Sequence, residues 1–242
     1  MSTFWEKNIQ PGYYDRILEE GSKNKFGLQI NWHEIQFEFV SKKIDKNSQH
    51  LDFACGPGTF IGNYLNTNSL GVDLSKNQIK YAVEKYGQKS KFLDLSSFDF
   101  NLYPNYFDCI TVLGLVEFLN NEEIKELINN FYLITKPAGK VIFTTPNYGI
   151  IMTLLEKIIG IFGKVSYKNQ TINRFKYRKL QKTFDNSEFE IIKIQKILNY
   201  GIFCSIFNKK IGKKFENYLG KIFNYRFGFI LVLELSKSSN KN

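Results

Sequence analysis

The chain is poor in the residues that build stapled or metal-held folds. It has three cysteines, two histidines and five prolines among 242 residues. Cys55, Cys109 and Cys204 are far apart and odd in number, and no Cys-x-x-Cys pair or Cys/His cluster occurs. A disulfide framework and a metal site are therefore not expected. Free thiols fit a reducing compartment. No apolar run approaches the ~20 residues that span a bilayer, and the start, Met-Ser-Thr-Phe-Trp-Glu-Lys, lacks the basic and apolar regions of a signal peptide. The expectation is a cytoplasmic protein, with any membrane contact peripheral and at the inner face. With 43% hydrophobic residues, general disorder is excluded. The length suits one domain with a substantial core.

Acidic residues are scarce in one half only. Residues 1–147 hold 15 Lys+Arg against 17 Asp+Glu, whereas residues 148–242 hold 18 against 6. The net charge of +10 thus belongs to the last two-fifths of the chain. Such a surface suits phosphorylated substrates, an anionic membrane or nucleic acid, or simply solubility.

What is present is an alternation of strand and helix signals, the pattern of a parallel sheet with covering helices. Leu51–Ala54, Ser69–Val72, Lys91–Leu93, Phe107–Leu113 and Val141–Thr144 read as successive strands. The run at 107–113 is apolar apart from Asp108 and Thr111, as suits a central parallel strand. Helices are expected over Thr59–Asn66, from a Ser75 cap to about Tyr86, and over Asn121–Ile134, where Ile124, Leu127, Ile128 and Phe131 recur at helical spacing. Lys136-Pro137-Ala138-Gly139 reads as a turn. Beyond it come an apolar stripe from Ile150 to Phe162, a helix near Phe175–Thr183, and a strand over Phe189–Ile197. A second stripe then carries Phe203, Phe207, Ile211, Phe215, Leu219 and Ile222, and the last strand covers Phe227–Leu235.

The most informative stretch is Leu51-Asp52-Phe53-Ala54-Cys55-Gly56-Pro57-Gly58, a strand that breaks into a glycine turn. Glycines lacking Cβ let backbone approach a ligand, and strand C-termini are where open α/β sheets bind ligands. A dinucleotide fingerprint would need Gly-x-Gly-x-x-Gly. Here the third glycine, Gly62, comes one residue late, and Pro57 removes an N–H that a pyrophosphate would use. No Gly-Lys-Ser/Thr follows, so a P-loop is excluded.

This turn resembles the first motif of the class I S-adenosylmethionine-dependent methyltransferases. The likeness continues through Gly71-Val72-Asp73-Leu74-Ser75, Phe92-Leu93-Asp94-Leu95, Phe107-Asp108-Cys109-Ile110 with Leu113-Gly114-Leu115-Val116-Glu117, and Thr135–Lys140 with Thr144–Asn147. It implies a doubly wound, mostly parallel seven-stranded α/β sheet with an antiparallel last strand and helical insertions after strands 5 and 6. Residues 1–242 would form one methyltransferase domain: N-terminal cap helices to 47, a cofactor-binding core over 48–147, and insertions at 148–175 and 200–225. The implied cofactor is S-adenosyl-L-methionine. By resemblance, Gly56 and Gly58, with Ala54 and Cys55 in the same turn, would pass beside its methionine part, and Asp52 would receive its amino group. Asp73 would accept from the ribose hydroxyls and Leu74 would cover the adenine. Asp94 and the Leu95 N–H would meet the adenine edge, and Leu113 with Gly114 would floor the sulfonium. Ala138 stands where the family's strand-five turn often has glycine. Phe118 stands where many relatives have histidine, which weakens any base after strand four.

The acceptor is less legible. His33, read at the start of a helix capping the pocket, and Tyr148, just past strand five, are the catalytic candidates; His50 is read as lying before the first strand, structural or exposed. Tyr13, Tyr14 and Trp32 could close over the cofactor. No metal is expected. The insertions suggest a small or lipid-like substrate, with the Phe-rich stripe and Lys209, Lys210 and Lys213 suited to an anionic membrane surface. Alternatively both stripes pack on the domain. A nucleic-acid methyltransferase is disfavoured because no Asn-Pro-Pro-Tyr or Asp-Pro-Pro-Tyr follows strand four. A non-catalytic cofactor-binding subunit is the remaining alternative.

Overall fold

The computed structural model describes residues 2–23, 27–149, 152–153, 169–223 and 227–239. Three helices come first: α1 (Ser2–Asn8), α2 (Tyr13–Lys23) and α3 (Leu28–Ser41). Then β1 (Gln49–Phe53), α4 (Thr59–Tyr64), β2 (Asn68–Asp73), α5 (Lys76–Tyr86), β3 (Lys91–Asp94), β4 (Phe107–Leu113), α6 (Asn121–Ile134) and β5 (Thr135–Pro146) alternate. The chain ends with α7 (Tyr177–Phe184), β6 (Glu190–Ile197), a 3-10 segment (Tyr200–Ile206), α8 (Lys209–Ile222) and β7 (Ile230–Ser236).

The seven strands form one sheet in the order β3-β2-β1-β4-β5-β7-β6. Strands β1 to β5 pair in parallel, and β7 runs antiparallel between β5 and β6. This is the doubly wound α/β sheet with an antiparallel last strand. The order reverses between β1 and β4, and a crevice opens at such a switch point, outside the carboxyl ends of the strands. Both sheet faces are covered. Phe107, Phe131, Phe143 and Phe184 anchor one apolar layer, and Phe37, Phe60, Cys109 and Ile230 belong to the other.

Local chemistry explains the element ends. Ser75 accepts from the Gln78 N–H at 3.3 Å and starts α5. Asn120 and Glu123 close a reciprocal capping box at the start of α6. The turn read at 136–139 is absorbed into β5. It survives as a kink, with Ala138 at φ +60° and a register shift between Phe107 and Cys109.

His50 departs from the reading. It lies inside β1, buried, with Nδ1 3.0 Å from Ser69 Oγ and Nε2 2.9 Å from Thr111 Oγ1. The strand begins two residues earlier than its apolar run because this histidine finds hydroxyl partners on both neighbouring strands. The first insertion's stripe from Ile150 to Phe162 lies largely outside the described residues.

The second stripe is real, but apart from Phe203, which packs on Phe229, most of it does not pack on the domain. Phe207, Ile211, Phe215 and Ile222 are 78%, 49%, 48% and 55% exposed. The residues that α8 buries are Gly212, Glu216 and Gly220.

Candidate active site

A cavity of about 560 Å³ sits at the carboxyl ends of β1, β2, β4 and β5, within the usual range for cofactor and substrate pockets. The β1–α4 turn forms one wall. Its backbone bends sharply, with Ala54, Gly56 and Gly58 all at positive φ (64°, 54° and 74°). The two glycines do different jobs. A Cβ on Gly56 would meet nothing nearer than the Tyr14 ring at 3.7 Å, so this glycine faces the cavity side. A Cβ on Gly58 would strike Phe92 at 2.7 Å. Gly58 therefore admits the close packing of α4 on the sheet, and it does not line the cavity.

Asp73, ending β2, locks this turn. One carboxylate oxygen accepts the Gly56 N–H at 2.8 Å and the other accepts the Ser75 N–H at 2.8 Å. Each oxygen retains acceptor capacity. Burial raises its pKa, partly offset by these N–H donors. Asp52 is almost fully buried and accepts the Thr111 hydroxyl proton at 2.6 Å. Burial pushes its pKa up to about 7, against the pull of that hydroxyl. Behind it the chain of polar contacts runs Thr111, His50, Ser69 and Thr67. With Thr111 donating to Asp52, His50 donates from Nε2 and accepts at Nδ1, so one tautomer satisfies every link.

Asp94 is not brought to the cavity. It pairs beside Asp73 in the sheet, but its carboxylate accepts from Ser97 Oγ at 2.9 Å and from Ser96 Oγ. These hydroxyls hold its pKa below the usual value. Leu95, the next residue, does line the cavity, as do Ala54, Cys55, Leu74, Leu113 and Gly114. Cys55 is no nucleophile, because burial pushes its thiol pKa well up.

His33 lines the cavity from within α3, not from its first turn. Its ring packs against Tyr14 and Phe37, at centroid distances of 5.1 and 6.0 Å. Burial lowers its pKa to about 4. A neutral imidazole results, a weak base near neutrality but a good hydrogen-bonding group. Tyr148 is buried in the wall, with the Arg174 guanidinium 5.2 Å from its ring centroid.

Several lining residues escaped the sequence reading. Trp5 and Ile9, from the N-terminal segment, join the wall. Gln78 ties that segment down by accepting the Gly12 N–H at 3.1 Å and donating to the Ile9 and Gln10 carbonyls. Gln36 donates to Thr144 Oγ1 at 2.7 Å, joining α3 to β5. Glu117 is the most telling. It is 4% exposed, and its Oε2 is buried without a hydrogen-bond partner among the described residues. Burial raises its pKa to about 7, against a weaker pull from its own backbone N–H and the Thr145 hydroxyl. Its signal in the sequence was a lone ionisable group inside Leu113-Gly-Leu-Val-Glu-Phe-Leu119.

The electrostatics of the lining are one-signed. Asp52, Asp73, Glu117, Glu123 and Glu126 line the cavity, while no described lysine or arginine does. This holds in a chain of net charge +10. The site is built for a ligand with positive charge or with N–H and O–H donors. Its polar end is the β1–α4 turn with Asp52 and Asp73. Its apolar part carries Trp5, Leu115, Phe118, Leu119 and Met152.

Comparison with known proteins agrees with this geometry. Residues 51–139 match the family model described as a methyltransferase domain. An uncharacterised protein of Methanocaldococcus jannaschii is 26% identical over 233 residues, covering 93% of this chain and 97% of that protein. Phosphoethanolamine N-methyltransferase 3 of Arabidopsis thaliana is 32% identical over 138 residues, covering 54% of this chain but only 27% of that enzyme. Among solved structures, magnesium protoporphyrin IX methyltransferase from Synechocystis with bound SAH superposes with a TM-score of 0.62 at 15% identity, covering 98% of each chain. At that identity the likeness speaks for the fold.

Proposed function

We propose that this chain, whose residues 51–139 match a methyltransferase domain, is a class I S-adenosylmethionine-dependent methyltransferase, and that it transfers the methyl group to a small acceptor with an amine or hydroxyl nucleophile on an apolar body. The observation that carries this reading is the lining charge: carboxylates without a described lysine or arginine. A cationic cofactor and an amine-bearing acceptor gain from such a field, and a polyanion is repelled by it.

The residues present fit the cofactor. Gly56 leaves backbone approachable at the turn, and Asp73 keeps free acceptor sites for a diol. Asp52 offers a buried carboxylate to an ammonium group. When bound, S-adenosylmethionine supplies an electrophilic methyl on a sulfonium. The chain's part is to hold and orient. Leu74 and Leu95 flank the Asp73 end. Leu113 and Gly114 form the floor. The unpartnered Oε2 of Glu117 accepts a hydrogen bond from the acceptor's N–H or O–H and aims its lone pair. Such positioning lowers the barrier without a strong base. His33 and Tyr148 contact the acceptor from the α3 and β5 sides. With its pKa near 7, Glu117 can also take the proton that the nucleophile sheds.

Relatives include enzymes named for phosphoethanolamine and for tRNA guanine-N7. Both substrates carry phosphate, for which this lining offers no cation. Turnover assays should therefore compare alkylamines, aryl and alkyl alcohols, phosphoethanolamine and tRNA, measuring SAH release. We expect turnover on uncharged or cationic acceptors, reduced at least tenfold by Glu117→Gln. Turnover on phosphoethanolamine or tRNA alone would overturn this acceptor class.

A further inference from the structure

Helix α8 is turned the opposite way from an ordinary surface helix. More than half of the large exposed apolar side chains among the described residues fall between Tyr200 and Phe227. On α8 and its lead-in they form one row: Phe207, Ile211, Phe215, Tyr218 and Ile222, from 48% to 78% exposed. Their spacing of four, four, three and four residues keeps them on one face.

The orientation is fixed from the inner side. Gly201 of the 3-10 segment lies against the backbone of Phe215 and Glu216, and Gly212 lies against Ser205, so neither position has room for a side chain. Buried Asn31 of α3 donates to Ser205 Oγ at 2.7 Å and to the Lys209 carbonyl at 2.8 Å. Lys209 pairs with Glu34, and Lys213 with Glu34 and Glu38, all on α3. The Glu216 carboxylate accepts the Asn199 N–H at 3.0 and 2.8 Å. Polar and small residues hold the helix down, so its aromatic row points away from the protein by construction.

Charge identifies the occupant. Beside the apolar row runs a second one, Lys210, Lys214, Asn217 and Lys221, all exposed. The sole acid from Tyr200 to Phe223 is Glu216, which is buried. We propose that this face of α8 docks on an anionic lipid bilayer, with Phe207, Ile211, Phe215, Tyr218 and Ile222 entering the interface and Lys210, Lys214 and Lys221 at headgroup level. Apolar burial plus lysine attraction is the physics of interfacial helices. A second copy of the chain is a poorer partner, since symmetric pairing would face these lysines with their own kind. The patch also connects to the cavity wall. Tyr200 and Phe203 pack edge-on to Phe229, which stacks on Trp32 of the cavity lining. The docking surface stands independently of the acceptor assignment; if both hold, the acceptor is drawn from the membrane.

The test is co-sedimentation of the full chain with large vesicles of phosphatidylcholine alone and with 30% phosphatidylglycerol. Binding is expected on the anionic vesicles and should fall steeply with salt. The triple variant Lys210→Gln, Lys214→Gln, Lys221→Gln should weaken it roughly 100-fold, at ~1 kcal/mol per lysine. The variant Phe207→Ser, Phe215→Ser should abolish it while keeping the unfolding temperature, and Leu102→Ser, at a remote exposed position, should leave it unchanged. Failure to pellet with anionic vesicles would overturn the proposal. So would a dimer, or RNA retention, that the double serine variant abolishes in place of vesicle binding. Vesicle binding without turnover on any acceptor would refute the acceptor assignment and leave the docking face intact.

Discussion

Helices α6 and α8 are both 14 residues long, and both carry an apolar stripe at helical spacing. Helix α6 buries its stripe, with Ile124, Leu127, Ile128, Phe131 and Ile134 in the core beneath the sheet. Helix α8 shows its stripe to the outside and buries two glycines and a glutamate. Periodicity thus reports that a helix exists and where its apolar face lies, but not which way that face turns. The direction is set by partners elsewhere in the fold: Glu34, Glu38 and Asn31 for α8, and Phe53 of β1 with Phe143 of β5, both against Phe131, for α6.

That contrast can be broken by unfolding measurements. Phe131→Ala should cost ~3–5 kcal/mol, the range for a fully buried aromatic. If Phe215→Ser costs as much, the exposed orientation of α8 is wrong. The two buried glutamates sharpen the same contrast. Both have pKa values pushed up to about 7 by burial. Glu216 accepts two backbone contacts from Asn199, which follows Leu198, held at φ +61°. Glu216→Ala should destabilise by ~1–3 kcal/mol through the stranded N–H. Glu117 has an orphan oxygen, so Glu117→Gln should stabilise the cofactor-free protein at pH 8, again by ~1–3 kcal/mol.

The sign of that effect follows from proton linkage. Glu117 has a folded pKa near 7 against an ordinary 4.5. Between those values the folded state binds more protons, so this group's contribution to stability is full below 4.5 and is lost as pH rises to 7. The advantage of Glu117→Gln should accordingly vanish at pH 4, which denaturant titrations at the two pH values would reveal. A smaller effect is expected at Ala138, whose φ of +60° favours glycine. Ala138→Gly should stabilise by roughly 0.5–1 kcal/mol. Smallest of all, Phe215→Ser should stay within ~0.5 kcal/mol.

The cofactor half of the molecule was legible because its signals are local. Strand ends at Asp52 and Asp73, the Gly56 turn and the Ser75 cap are each specified within a few residues. Asp94 misled because a strand-end acid looks the same whether it faces a cavity or bonds its own Ser96 and Ser97. Gly58 misled for a related reason, since a helix-packing glycine and a ligand-facing one share the same turn. His50 was misplaced because a buried histidine in a strand depends on hydroxyls from Ser69 and Thr111, 19 and 61 residues away. Glu117 needed the fold before its isolation could be seen.

The central claim is that the turn locked by Asp73 holds S-adenosylmethionine beside Asp52. Isothermal titration of the wild-type chain, Asp73→Asn and Asp52→Asn, each from pH 5 to pH 8, tests it most directly. Asp73→Asn should weaken both the cofactor and its demethylated product by ~10–100-fold, the worth of one or two charge-assisted hydrogen bonds. Wild-type affinity should rise with pH until Asp52 is ionised near 7 and then level, and Asp52→Asn should flatten that rise. Affinity unchanged by Asp73→Asn, with a pH profile indifferent to Asp52→Asn, would contradict the account.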